Sequence, residues 1–214
     1  MTVASHGMKI IVADDHAIVR KGFHQIVSTR AGWQVAAEAA NGDELLTHLR
    51  RDSYDLLVLD VSLGERSGIE LLEHVRSEFP SLPVLMLSML PEEQYAVRCL
   101  RAGASGYVQK DSQPEEILNA IARIAAGAKY ITPRLASHLA DEMVRGQDSP
   151  HQSLSTREFE VFRLIAVGRS ATEIAEMLHL SVKTVSTYRT RIMEKTGFRS
   201  NADIIAYAIR NSLV

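Results

Sequence analysis

The run Leu56-Leu57-Val58-Leu59-Asp60 constrains this chain more than any other stretch, because four large apolar residues in unbroken succession end on a carboxylate. A strand covered on one face alternates apolar and polar residues. A continuous run instead belongs to a strand covered on both faces, as in a parallel sheet between two layers of helices. A charge inside such a strand would be costly, but at its C-terminal end the same carboxylate stands in the crevice where open α/β sheets bind ligands. Asp60 is therefore the first candidate functional residue.

The flanking pattern supports that sheet. An apolar strand over Met8–Ala13 ends at Asp14-Asp15, and Ile18, Val19, Phe23, Ile26 and Val27 then recur at helical spacing. Strands near Trp33–Glu38, Leu56–Asp60, Val84–Ser88 and Gly106–Val108 alternate with helices over about Asp43–Arg51, Gly68–Phe79, Glu92–Arg101 and Glu115–Ala126. Pro91 and Pro114 fall where a helix tolerates proline, in its first turn. Five strands alternating with five helices predict an α/β doubly wound, five-stranded parallel sheet of flavodoxin-like order.

In that order the chemistry collects at one edge. Asp14 and Asp15 follow the first strand, Asp60 ends the third, Ser88 ends the fourth and Lys110 follows the fifth. Three crowded carboxylates repel one another unless a cation is present. Mg²⁺ suits them, since it takes a few carboxylates and keeps its other positions for water and phosphate oxygens. A lysine ammonium and a hydroxyl opposite supply donors for a phosphoryl group. Solvated acidic loops would explain any one of these residues, but not all of them at successive strand ends.

Taken together, Asp14-Asp15, Asp60 followed by Gly68, Ser88, Tyr107 and Lys110 resemble the receiver domain of two-component response regulators, over roughly residues 8–126. The resemblance implies that Asp60 accepts a phosphoryl group. It also implies that Asp15, Asp60 and the Ser62 backbone carbonyl bind Mg²⁺ directly while Asp14 acts through water. Ser88 and Tyr107 would form a switch pair, and Lys110 would bridge to the phosphate.

Charge divides the chain. Residues 1–149 carry a net −5 and residues 150–214 a net +3, within a total of −2. An acidic half joined to a basic half suggests two tasks, with nucleic acid a candidate partner of the second. Between them, Thr132–Arg145 reads as a connecting helix and Gly146–Gln152, turn-rich and without periodicity, as a flexible linker. The expected division is residues 8–127, a connecting segment 128–152, and residues 153–214.

The basic half is predicted all-α. Ser155 with Glu158 and Ser170 with Glu173 have capping-box spacing, and Ser181 caps a third helix; Gly168 and Gly197 close the first and third. A short helix, Ala171–His179, turns quickly into a longer one, Val182–Thr196, which is a helix-turn-helix signal. On the longer helix Val185, Ile192 and Met193 form a core stripe. Lys183, Ser186, Thr187, Thr190, Arg191 and Glu194 lie opposite, where cations can meet phosphates and short hydroxyls can reach base edges. Leu154–Glu158, Glu173-Ile174-Ala175 and Ser181–Val185 resemble the LuxR-type DNA-binding domain, and the two halves together the NarL/FixJ class of response regulators. Lys183, Thr184, Ser186, Thr187, Tyr188, Thr190 and Arg191 are the expected DNA contacts.

The resemblance implies a transcriptional regulator, not an enzyme, phosphorylated by a sensor histidine kinase. A final helix over about Ala202–Asn211 carries Ile204, Ile205, Tyr207 and Ala208, more apolar surface than one core contact needs, so homodimerisation on an inverted repeat is expected. The lone Cys99 fits a reducing compartment, no apolar run approaches a membrane span, and residues 1–9 lack a signal peptide's apolar core, so the expectation is cytoplasmic. Two other classes compete: a receiver-like binding protein without phosphotransfer, and a Mg²⁺-dependent phosphatase or hydrolase. The intact acidic site weighs against the first, and the unexplained basic half against the second.

Overall fold

The structure, a computed structural model, describes residues 7–63, 67–145, 149–211 and 213–214. The chain divides into two compact units, residues 1–139 and 140–214.

In the first unit β1 (Met8–Ala13), β2 (Trp33–Ala39), β3 (Leu56–Asp60), β4 (Val84–Ser88) and β5 (Gly106–Gln109) form one sheet in the order β2-β1-β3-β4-β5. Every pairing is parallel. The order reverses between β1 and β3, so the loops that follow these two strands open a crevice at their C-terminal ends. Four helices connect the strands, α1 (Ala17–Ser28), α2 (Gly42–Arg51), α3 (Gly68–Glu78) and α4 (Glu92–Arg101), and α5 (Pro114–Ala125) follows the last.

The apolar runs of β3 and β4 are buried at every position. Ile10, Val12, Leu56, Val58, Leu85, Leu87 and Val108 pack on one face with Phe23 and Val27 of α1 and Ile117, Ile121 and Ile124 of α5. The intervening residues Ile11, Leu57, Leu59 and Met86 are equally buried on the other face. Each such side chain contributes about 1.5–3 kcal/mol by leaving water. That layered core holds the strand ends in fixed register. Lys110 N–H, for example, donates to the Ser88 carbonyl at 2.8 Å.

After α5 the chain returns along β5. Tyr130 forms a parallel bridge with Gly106, and its N–H donates to the Ser105 carbonyl at 2.9 Å. Helix α6 (Pro133–Arg145) follows, and the division between the two units falls within it.

The second unit comprises α7 (Thr156–Ala166), α8 (Ala171–Met177), α9 (Val182–Thr196) and α10 (Asn201–Arg210). Ser155, Ser170 and Ser200 each begin a helix with a reciprocal capping box, to Glu158, Glu173 and Asp203. Phe159, Phe162, Phe198 and Tyr207 pack as a small aromatic core with His151. Residues 146–148 of the expected linker lie outside the described residues. Its remainder differs from expectation: Pro150–Ser153 is a short 3-10 helix, tied to the unit by a 2.7 Å hydrogen bond between His151 Nδ1 and the Tyr207 hydroxyl.

Helix α8 is shorter than its periodicity suggested, ending at Met177 instead of His179. His179 adopts a left-handed backbone, φ 54°, and the Leu180 N–H reaches back to the Ala175 carbonyl at 2.8 Å. This closes the helix early and makes the turn into α9.

Candidate functional site

The C-terminal ends of β1, β3 and β5 bring the acidic residues and lysine together. Asp14 and Asp60 are almost fully buried, at 0% and 2% exposure. Lys110 Nζ lies 2.8 Å from Asp14 Oδ2 and 2.7 Å from Asp60 Oδ2. The other Asp60 oxygen, Oδ1, accepts the Ser62 N–H at 3.1 Å. Burial pushes the Asp60 carboxyl up, against the lowering effect of the Lys110 hydrogen bond. Burial likewise pulls the Lys110 ammonium down, but its ion pairs with Asp14 and Asp60 outweigh that and leave it raised. An ammonium held between two carboxylates is the counter-charge that lets them share the pocket.

Asp14, Asp15, His16 and Asp60 each offer a ligand atom, all within 4.8 Å of one another. Asp14 Oδ2 is buried and, although close to Lys110, has no hydrogen bond of proper direction. A buried carboxylate oxygen left in that state, among hard oxygen donors, fits Mg²⁺. Ser62 is exposed on the following turn. Gly68, the first residue of α3, lies so close that a Cβ there would meet the Asp60 carbonyl oxygen at 2.0 Å. Only glycine lets α3 start this near the strand end.

Ser88 and Tyr107 are also together. Both are 1% exposed. The Ser88 hydroxyl accepts the Leu90 N–H at 3.0 Å, and the Tyr107 hydroxyl donates to the Leu90 carbonyl at 2.6 Å, so both side chains hold the same residue. Burial raises the phenol well above its ordinary value.

Two contributors were not singled out in the sequence. His16 pairs with Asp15 at 2.6 Å, and its position directly after the acidic pair was an available signal. Arg20 donates to the Asp14 carbonyl at 2.6 Å and to Glu38 at 2.7 Å, fixing the loop after β1; no local pattern marks a bond between α1 and β2.

In the second unit, Lys183, Ser186, Thr187, Thr190 and Arg191 are exposed on α9, while Val185 and Ile192 are buried against the unit's core. Thr184 and Tyr188 are only half exposed, and the Thr184 hydroxyl lies 2.8 Å from that of Ser181. The Ser186, Thr187 and Thr190 hydroxyls each donate to the carbonyl four residues back, at 3.0, 3.0 and 3.2 Å. Their lone pairs face outward, so they can accept from a base edge without breaking those bonds. Arg189, which the sequence did not single out, is exposed too, its Nε held 2.7 Å from Asn201.

Comparison with known proteins matches each unit to a family. Residues 10–122 match the response regulator receiver domain, and residues 152–208 the bacterial regulatory proteins of the luxR family. The oxygen regulatory protein NreC of Staphylococcus carnosus is 37% identical over 97% of this chain and 99% of its own length; its counterpart in Staphylococcus aureus strain JH9 is 38% identical with the same coverage. Among solved structures, RcsB of Salmonella enterica serovar Typhimurium bound to promoter rprA in the presence of phosphomimetic BeF3⁻ aligns over 94% of this chain and 98% of that one, with TM-score 0.63 and 28% identity. A LuxR-family two-component response regulator from Aurantimonas sp. SI85-9A1 covers 64% of this chain and 97% of its own, with TM-score 0.59 and 37% identity. A parallel five-stranded receiver fold with its acidic crevice, joined to a helix-turn-helix unit, places the chain in the family of two-component response regulators with a LuxR-type output domain, which are transcription regulators and not enzymes.

Proposed function

We propose that this regulator accepts a phosphoryl group on Asp60 from a sensor histidine kinase and, so modified, binds an inverted-repeat promoter site as a homodimer through α9. The observation that carries this reading is the buried Asp60 carboxylate, held by Lys110 on one oxygen and by Ser62 N–H on the other. Such a carboxylate is fixed in position and stripped of water, with little reorganisation left to complete before it attacks.

In the transfer step one Asp60 oxygen forms a bond to phosphorus while the bond from phosphorus to the kinase imidazole breaks. Lys110, already beside that oxygen, pairs with the added negative charge. Ser88, one residue past the β4 position aligned with Asp60, turns its hydroxyl to a phosphoryl oxygen. Asp14, Asp15, Asp60 and the Ser62 carbonyl would hold Mg²⁺, which neutralises charge on the transferring group when bound.

For DNA, the basic and hydroxyl-bearing face of α9, second helix of a tight pair, supports insertion into a major groove. Lys183 and Arg191 suit phosphates, and Ser186, Thr187 and Thr190 suit base edges; Thr184 and Tyr188, half covered, sit at the margin of that face. The RcsB complex with promoter DNA, in a protein alike over nearly the whole chain, supports the same assignment. A cytoplasmic location follows from this role. Among the described residues no helix is long and apolar enough to cross a membrane.

Intact-mass measurement after treatment with a small phosphodonor and Mg²⁺ tests the acceptor. Wild type gains one acid-labile phosphoryl group and Asp60→Asn gains none, because the amide is a poor nucleophile and weakens the cation site. Equal labelling of the variant would place the acceptor elsewhere.

A further inference from the structure

Two hydrogen bonds grip Leu90 just past the end of β4. Its N–H donates to the Ser88 hydroxyl at 3.0 Å, and its carbonyl accepts the Tyr107 hydroxyl at 2.6 Å. Leu90 is thus held through both of its backbone groups by two side chains. Two residues on, Glu92 begins α4 and is itself buried, at 9% exposure. Both of its carboxylate oxygens lie 2.9 Å from the Thr132 hydroxyl.

Thr132 stands just before α6. Its hydroxyl accepts the Leu135 N–H at 3.1 Å, and its carbonyl accepts the Ala136 N–H at 2.9 Å, so it caps the helix. The hydroxyl therefore works in both directions: its lone pair takes a helix N–H and its proton goes to Glu92. Tyr130 fixes the approach to this cap, bridged to Gly106 and hydrogen bonded to Glu116 at 3.2 Å. Helix α6 is where the chain passes from one compact unit to the other.

We propose that the Glu92–Thr132 hydrogen bond is a latch that carries the state of Ser88 and Tyr107 to the start of α6, and so regulates the DNA-binding unit from the receiver. A Ser88 hydroxyl that turns toward a phosphoryl group on Asp60 lets go of the Leu90 N–H. Leu90 then shifts, moving the Glu92 carboxylate that holds the cap of α6. Coupling of this kind needs an element with two arrangements, and Leu90 held or released by Ser88 supplies it.

This inference rests on the phosphorylation-controlled reading above, and the experiment separates the two. Full-length wild type, Glu92→Ala, Thr132→Val and Thr132→Ser are each compared with and without small phosphodonor and Mg²⁺, by acyl-phosphate content, DNA affinity and hydrogen exchange at the Leu135 and Ala136 amides. Glu92→Ala removes the acceptor but keeps the Thr132 cap, so it isolates the latch from the stability of α6. All four are expected to phosphorylate alike. The gain in DNA affinity on phosphorylation, on the order of 5–150-fold for ordinary allosteric coupling, should fall at least about fivefold or to unity in Glu92→Ala and Thr132→Val. It should return in Thr132→Ser, which keeps the hydroxyl. The change in exchange at Leu135 and Ala136 should disappear in the same two variants. If wild type responds and Glu92→Ala responds equally, the latch is overturned while the regulatory reading stands. If wild type is phosphorylated without any change in DNA affinity, both fall.

Discussion

Gly68 shows how closely the Asp60 carboxylate is tied to backbone geometry. A methyl group there would lie 2.0 Å from the Asp60 carbonyl oxygen and 2.9 Å from the Val61 carbonyl carbon, and neither is a flexible side chain that could give way. Gly68→Ala must therefore displace the turn after β3 and Asp60 with it. We expect acyl-phosphate formation slower by on the order of ten- to a hundredfold, as small misplacements of reacting groups produce, with receiver secondary structure retained by circular dichroism. An unchanged rate would show that the turn tolerates the shift. At this scale the sequence was most legible where a residue type was out of place: a carboxylate ending an apolar run, a lysine and a hydroxyl at neighbouring strand ends. It was least legible where a role depends on packing between distant elements. Arg20 reaches Glu38 and the Asp14 carbonyl across α1, β2 and the intervening loop, and no local pattern announces that.

The helices of the second unit owe their boundaries to capping, and their caps make a prediction about pH. Burial would raise the Glu158 carboxyl, but Lys195 at 2.7 Å and the Ser155 N–H more than offset it and leave it lowered. Glu173 and Asp203, the corresponding residues of the other two boxes, are lowered chiefly by backbone N–H groups. A carboxyl lowered in the folded state adds stability that is complete above its unfolded value and is lost as pH falls through the folded one. The unit should thus lose stability as pH drops below the ordinary carboxylate values of 4.5 for glutamate and 3.8 for aspartate. The triple variant Glu158→Gln, Glu173→Gln, Asp203→Asn should flatten that dependence in denaturant titrations. A slope equal to wild type would assign the acid sensitivity to other groups. The serine-glutamate spacing made the first two boxes visible in advance, whereas the end of α8 was not, because periodicity continues through Leu178 while His179 takes a left-handed turn. On α9 itself, Lys183→Ala should weaken binding to all DNA about equally and lower the salt slope by about one unit per lost phosphate contact. Thr187→Ala should instead relax sequence preference. Competition binding at several salt concentrations separates the two outcomes, and a Lys183→Ala variant altered only in specificity would rotate the assigned helix face.

For the whole molecule, α10 shows which apolar surface is left for pairing. The sequence offered Ile204, Ile205, Tyr207 and Ala208 together. In the structure Ile204 and Ala208 are fully buried in their own unit and Tyr207 joins the aromatic core, while Ile209 is 64% exposed beside half-buried Ile205. An apolar stripe that narrow buries less than the ~1,200 Å² of stable interfaces, so pairing through it alone is weak and depends on a second contact to raise the effective concentration. Ile209→Glu should leave the folded monomer intact and reduce cooperative DNA binding, as read by sedimentation on and off an inverted repeat. Cooperativity equal to wild type would move the interface off α10. Control of DNA binding by phosphorylation of Asp60 is read from the affinity of full-length wild type and Asp60→Asn for a genomically selected site, with and without phosphodonor and Mg²⁺. Wild type should gain at least tenfold, with dimers on the DNA, and Asp60→Asn should gain nothing. A wild-type protein fully phosphorylated on Asp60 that binds no more tightly than before would contradict it.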